Sequence, residues 1–157
     1  MAIKNYDPII ATIRSKLLSN SGLTLWNGWT NTGSPDIYPA YISFISNGNY
    51  PALTICREEG ETFKNRTGYQ GLRYYIHGWF KQSDDSTTAD SAVDDAAFML
   101  NTVVDILDVH PILGQQVPQF AMCRLVDSKC PVYDDVTRTT FFMTEWLIKA
   151  NKNLIYS

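Results

Sequence analysis

The chain reads as an α+β fold: a single domain, mostly antiparallel β-sheet with two main helices packed on one face. Three observations predict it. LRYYIHGWFKQ (72–82) alternates with period two, as a strand does. SDDSTTADSAVDDAAFMLNTVVDILD (83–108) repeats its apolar residues at spacings of three and four, as an amphipathic helix does. The order of such segments along the chain is α–β–β–β–α–β–β, with no repeat or interdomain linker.

The first helix starts at Asp7-Pro8. Aspartate is a good N-cap, and proline suits the first helical position, where its missing N–H is no loss. Ile9, Ile10, Ile13 and Leu17 fall on one arc, and Ser21-Gly22 is the expected stop. Residues 23–40, rich in Gly, Asn, Pro and Trp, read as a structured loop with a short strand at Leu23–Trp26. YISFIS and ALTICR flank Asn47-Gly48-Asn49, a strong hairpin signal because these residues tolerate positive φ. Tyr50-Pro51 opens the second of those strands, since proline is tolerated at a strand's first residue.

In 72–82, Leu72, Tyr74, Ile76, Gly78 and Phe80 share one face. Arg73, Tyr75, His77, Trp79 and Lys81 share the other, aromatic in the middle and cationic at both ends. In the long helix the expected apolar arc is Val93, Ala96, Ala97, Leu100, Val103, Val104 and Leu107. Asp90, Asp94, Asn101, Asp105 and Asp108 line a neighbouring stripe, with Phe98 an exposed-looking aromatic between acids. Aspartates in the first turns suit the helix dipole; Asp105 and Asp108, near its negative end, do not. His110-Pro111 ends the helix. Strands at 120–127 and 136–148 follow, joined by the polar connection SKCPVYDD (128–135). The last strand is apolar on both faces, as an interior strand would be.

At 157 residues, with 45% hydrophobic and 18% charged residues, the chain can bury one continuous core and is not a disordered polypeptide. No apolar run approaches the ~20 residues of a membrane helix, and MAIKNYDPII lacks the apolar region of a secretory signal. The expectation is a chain soluble and cytosolic at synthesis. A net charge of −3, with bases that never cluster, argues against a nucleic-acid grip in bulk. Seven aspartates and no Lys or Arg lie between Lys81 and Arg124. Cys56, Cys123 and Cys130 form no CxxC, so buried reduced thiols are expected instead of a disulfide framework or zinc site.

No catalytic constellation emerges. His77 and His110 have no carboxylate or serine beside them in a nucleophile motif. DDSTTADSAVDD lacks the central glycine and final glutamate of a calcium loop. GETFKNRTG lacks the GK[ST] ending of a phosphate loop and leads into a strand. The expectation is therefore no enzyme, no cofactor and no metal. One stretch still asks for a purpose. EEGETFKNRTGYQG (58–71) holds three acids, two bases and three glycines in a 14-residue polar connection where a two-residue turn would do. Long loops are usually functional or flexible.

Taken together, a capped first helix, a strand opening with Tyr50-Pro51 and running into Arg57-Glu58-Glu59, a long polar loop, LRYYIHGWFK, an acid-started helix, a His110-Pro-Ile-Leu113 break and two strands joined around Asp134-Asp135 make a pattern. Over roughly residues 5–150 it resembles the tail terminator (tail-completion) proteins of long-tailed, lambda-type bacteriophages. The resemblance rests on element order and spacing; the loop at 23–40 has no place in it. It implies a structural virion component that forms a hexameric ring, caps the tail tube, ends tube polymerisation and offers the head–tail joining surface. The implied partners are copies of itself, the tail tube protein and a head-completion or connector protein, with DNA passing through the lumen unbound. The implied location is the head-proximal end of the tail, after assembly in the host cytoplasm. The whole chain, 1–157, would be one such domain with long loops at about 23–40, 58–71 and 128–135. Candidate ring-interface residues are Arg73, Tyr75, His77, Trp79 and Lys81 on the strand, and Asp94, Phe98 and Asp105 on the helix. A ring needs two unlike surfaces that meet head-to-tail. Candidate tube-docking residues in the loop are Glu58, Glu59, Glu61, Lys64, Arg66 and Tyr69. Two alternatives stay open: another phage connector, head-completion or minor tail protein, and a small-molecule-binding module with Trp26, Trp29, Tyr38 and Tyr41 lining a pocket.

Overall fold

The computed structural model describes residues 8–38, 50–57, 63–64, 69–82, 89–108, 120–136 and 138–151. They form a single α+β domain around one mixed, mostly antiparallel sheet, with two helices of seven or more residues among those described. Asp7, the hairpin at 47–49, the strand at 41–46, most of the 58–71 loop and His110 lie outside the described residues.

Helix α1 (Pro8–Leu18) begins at the proline, as expected, and buries Ile9, Ile10, Ile13 and Leu17. It stops three residues before the expected Ser21-Gly22 signal, because Asn20 caps a separate one-turn helix, α2 (Ser21–Thr24). The Leu23 N–H donates to Asn20 Oδ1 at 3.1 Å. A Cβ on Gly22 would meet that same oxygen at 3.0 Å, so the glycine makes room for the cap and does not end α1. The strand expected at Leu23–Trp26 is absent for the same reason. The edge strand β1 lies later, at Ile37–Tyr38, and pairs in parallel with Leu53 and Thr54.

Strand β2 (Ala52–Arg57) follows Tyr50-Pro51 as expected and runs antiparallel to β4 (Tyr69–Lys81), with Ile55 opposite Ile76. Between them the short β3 (Phe63–Lys64) also pairs with β4, setting Phe63 opposite Gly71. The 58–71 stretch is therefore not one continuous loop: β4 starts at Tyr69, and β3 uses two more of its residues. β4 then pairs with β6 (Thr139–Asn151) over its whole length, from Tyr69↔Asn151 to Lys81↔Thr139. β5 (Phe120–Asp134) pairs with the other side of β6, giving the order β1-β2-β4-β6-β5. The connection expected at 128–135 is mostly strand. Register shifts between Leu125 and Asp127 and between Lys129 and Val132 carry the chain through, and the second absorbs Pro131, which has no N–H to give the ladder. The turn left is short, closed by the Val136 N–H on Asp134 Oδ1 at 2.9 Å.

Helix α3 (Ala89–Asp108) packs across β4, β6 and β5. Its buried line is Ala92, Ala96, Met99, Val103 and Leu107. The expected arc was centred about one residue off: Val93, Ala97, Leu100 and Val104 are half-buried shoulders, and Met99 is the centre. Leu72, Tyr74, Ile76, Phe80, Phe142, Trp146 and Ile148 meet it from the sheet, and α1 joins the same cluster. β6 is an interior strand, as its apolar pattern predicts; Phe142, Thr144, Trp146 and Ile148 are buried on the helix side, while Phe141, Met143, Glu145 and Leu147 are half-buried on the other.

Candidate interaction surfaces

Alternation along β4 sends Arg73, Tyr75, His77, Trp79 and Lys81 to the sheet face opposite α3, as the sequence predicts. Antiparallel register places β6 residues beside each of them: Leu147 by Arg73, Glu145 by Tyr75, Met143 by His77 and Phe141 by Trp79. The centre of this outer face is a ring stack. His77 lies 5.4 Å from Trp79 and nearly parallel to it; Trp79 lies 4.5 Å from Phe141, and Tyr75 flanks His77 at 6.4 Å. Trp79 is only 7% exposed, and its Nε1–H donates to Thr54 Oγ1 at 2.9 Å. It is a fixed platform more than a contact surface. The exposed and half-exposed groups around it are Tyr75, His77, Met143 and Lys81.

The cations at the two ends of the row are engaged within the chain. Arg73 Nη1 meets Glu145 Oε1 at 2.7 Å, and Tyr75 Oη–H donates to the same oxygen at 3.2 Å. Lys81 Nζ stands 5.5 Å from the centre of the Tyr50 ring. Glu145 was not singled out from the sequence, although it is the single acid in the run Phe141–Ile148. Such an intruder in an apolar run signals a partner on a neighbouring strand. His77 sits among rings with Nδ1 buried and without a hydrogen-bond partner, and burial pushes its pKa down to about 4. It is therefore a neutral, rigid aromatic at ordinary pH.

The second surface is on the far side of the sheet. On α3, Asp94, Phe98, Asn101, Asp105 and Asp108 are all exposed and recur at spacings of four and three, so they form one stripe. Phe98 stands in its middle, 48% exposed, stacked on Trp26 with ring centres 6.1 Å apart. Beside the stripe, burial and then the Asp94 charge push the Asp95 carboxyl up. Described α3 carries no Lys or Arg, so no base of the helix itself offsets the stripe. The strand row and the helix stripe thus lie on opposite sides of one sheet and cannot cover one another within a chain.

The loop after α2 is anchored by its tryptophans. Trp29 is buried, its Nε1–H donating to the Leu23 carbonyl at 2.7 Å. Trp26 meets Trp29, Phe80 and Phe98 edge-on or stacked. Tyr38 lines a separate cleft of about 410 Å³ with Ile10, Arg14 and Asp36, and neither tryptophan reaches it. These aromatics therefore do not line one pocket; Tyr41 is outside the described residues. Of the expected docking residues, Lys64 lies on β3 and Tyr69 on β4, while Glu58, Glu59, Glu61 and Arg66 are outside the described residues. Among the described residues no three His, Cys, Asp or Glu side chains are grouped to hold a metal, and no helix is long and apolar enough to cross a membrane. The chain matches no protein-family model and no curated protein sequence.

Proposed function

We propose that this chain is a structural subunit of a long-tailed bacteriophage, a tail terminator that assembles into a ring on the tail tube, ends tube polymerisation and presents the head–tail joining surface. The observation that carries the reading is the opposition of two unlike surfaces across one sheet: a half-buried aromatic face and an acidic helix stripe with an exposed phenylalanine. Surfaces of opposite character on opposite sides of a subunit suit a head-to-tail contact that closes by rotation. In this reading both main helices cover one sheet face and leave the other for a neighbour. Tyr75, His77 and Met143 of one copy receive Phe98 of the next. The 58–71 segment reaches the tube. The aspartates of α3 repel phosphate, which suits a lumen through which DNA slides.

Negative-stain electron microscopy of the protein, alone and mixed with candidate tube protein, tests this. Six-fold rings, or tubes capped at fixed length, are the expected result. A protein that neither caps nor shortens tubes overturns it, and rings that bind head connector but not tube assign the chain to the connector class instead.

A further inference from the structure

Among the described residues β5 is the outermost strand of the sheet. Among those same residues, none of residues 123–133 of β5 has a backbone hydrogen bond to any element but β6, and the Ser128 N–H donates to Asp127 Oδ1. Val126 and Tyr133 on this edge are 46% and 60% exposed. An open edge of this length is a template for another strand. The side chains indicate which one. Asp127 and Lys129 are exposed and point to the same face, since they oppose Glu145 and Met143. Asp127 lies opposite Glu145, whose charge Arg73 already engages, and among the described residues its carboxylate accepts from the adjacent Ser128 N–H alone, at 2.8 Å. Lys129, two residues on, has no acidic partner among the described residues.

We infer that β5 pairs antiparallel with β5 of a second copy of this chain, about a twofold axis at Ser128. That register sets Asp127 of each copy opposite Lys129 of the other, giving two opposite-charge pairs. The shifts of register on either side and Pro131 confine regular pairing to this short stretch. Twofold pairing uses each edge once, so addition stops at two copies and does not run on into a fibre. The contact uses an edge and not a sheet face, so it stands apart from the ring proposed above.

Sedimentation velocity across a micromolar-to-submillimolar range tests it, with Lys129→Asp and the double swap Asp127→Lys/Lys129→Asp. The single reversal places like charges opposite each other twice, and dimerisation is expected to weaken roughly tenfold or more. The double swap restores both pairs and should recover it, which also shows that the edge still folds. A wild-type protein that stays monomeric over the range, or a dimer indifferent to Lys129→Asp, overturns the inference. Rings on tube protein that form equally with Lys129→Asp leave the ring reading standing alone; dimers that obey the swap while no tube is capped leave the edge standing alone.

Discussion

Replacing Gly78 with alanine adds one methyl group where the sheet has no room for it. Gly78 lies in the middle of β4, on the core face, directly opposite Phe142. A Cβ there would fall within 3.0 Å of three carbons of the Phe142 ring, with Cζ at 2.6 Å and Cδ1 at 2.8 Å and Cε1 closer still. The ring is fully buried, so it cannot swing into solvent. It must leave its rotamer or push the strands apart, at a cost of about 1–3 kcal/mol. Alanine recovers about 0.5–1 kcal/mol of the backbone entropy that glycine loses on folding. With three ring carbons inside 3.0 Å the cost falls in the upper half of that range, about 2–3 kcal/mol, so the net loss is about 1–2.5 kcal/mol. At this chain length that is a fall in Tm of roughly 2–10 °C. Urea unfolding of Gly78→Ala, Phe142→Leu and the double variant measures it. The double variant should be more stable than the two separate losses predict, by about 1 kcal/mol, because the smaller side chain frees the methyl's space. An alanine variant as stable as the parent, with an unchanged denaturant slope, would refute the close approach of ring and strand.

His77 gives the fold a pH dependence. Its pKa is lowered by burial to about 4, while the unfolded chain titrates near 6.5, so between those values the unfolded state binds more protons. Stability is therefore complete above about pH 6.5 and falls as pH drops towards 4, by on the order of 3 kcal/mol. His77→Phe should flatten that part of the stability curve; an unchanged slope would place the titration elsewhere. The thiols should separate by burial. Burial and then the Asp108 charge push Cys123 up to about 12, and Cys56 is buried with Sγ 3.8 Å from the Tyr75 carbonyl, while Cys130 is half-exposed. In a thiol titration followed by mass spectrometry Cys130 should react first, with Cys56 and Cys123 following only on unfolding. Cys123 labelling as fast as Cys130 would contradict the fold around β5.

What could be read from sequence alone was periodic. The alternation in 72–82 set both faces of β4 correctly, and the three-four spacing in 83–108 found α3. The same spacing misplaced its buried line by about one residue, because Val93 and Ala92 are both apolar and only the sheet decides which faces inward. Proline at position 8 marked a helix start, but the Ser21-Gly22 stop failed against the Asn20 cap immediately before it. The β5 extension was hidden because Ser128, Lys129 and Pro131 look like loop residues, and on an open edge strand they are tolerated where an interior strand would refuse them. The outer face was legible as a pattern. Its ties were not: Arg73 with Glu145 and Trp79 with Thr54 join strands 72 and 25 residues apart, and no local rule pairs them.

The position of β6 between β4 and β5 also governs the order in which the molecule can be made. Neither β4 nor β5 bonds to the other; both bond to β6, which is the last of the described strands to leave the ribosome. Until it emerges, β4 carries Leu72, Tyr74 and Ile76 beside an unoccupied edge, and β5 has no neighbour at all. The nascent chain can form helices and the β2–β4 hairpin early, but its core closes only when thirteen further residues insert into the gap. Sheets that depend on such distant pairings fold slowly, and they expose apolar edges while they wait. A ribosome stalled before residue 139 would therefore yield a sticky fragment with one partial sheet, a β5 segment without a partner strand and an unclosed core. A chain with a closed core therefore arises only from completed synthesis of β6.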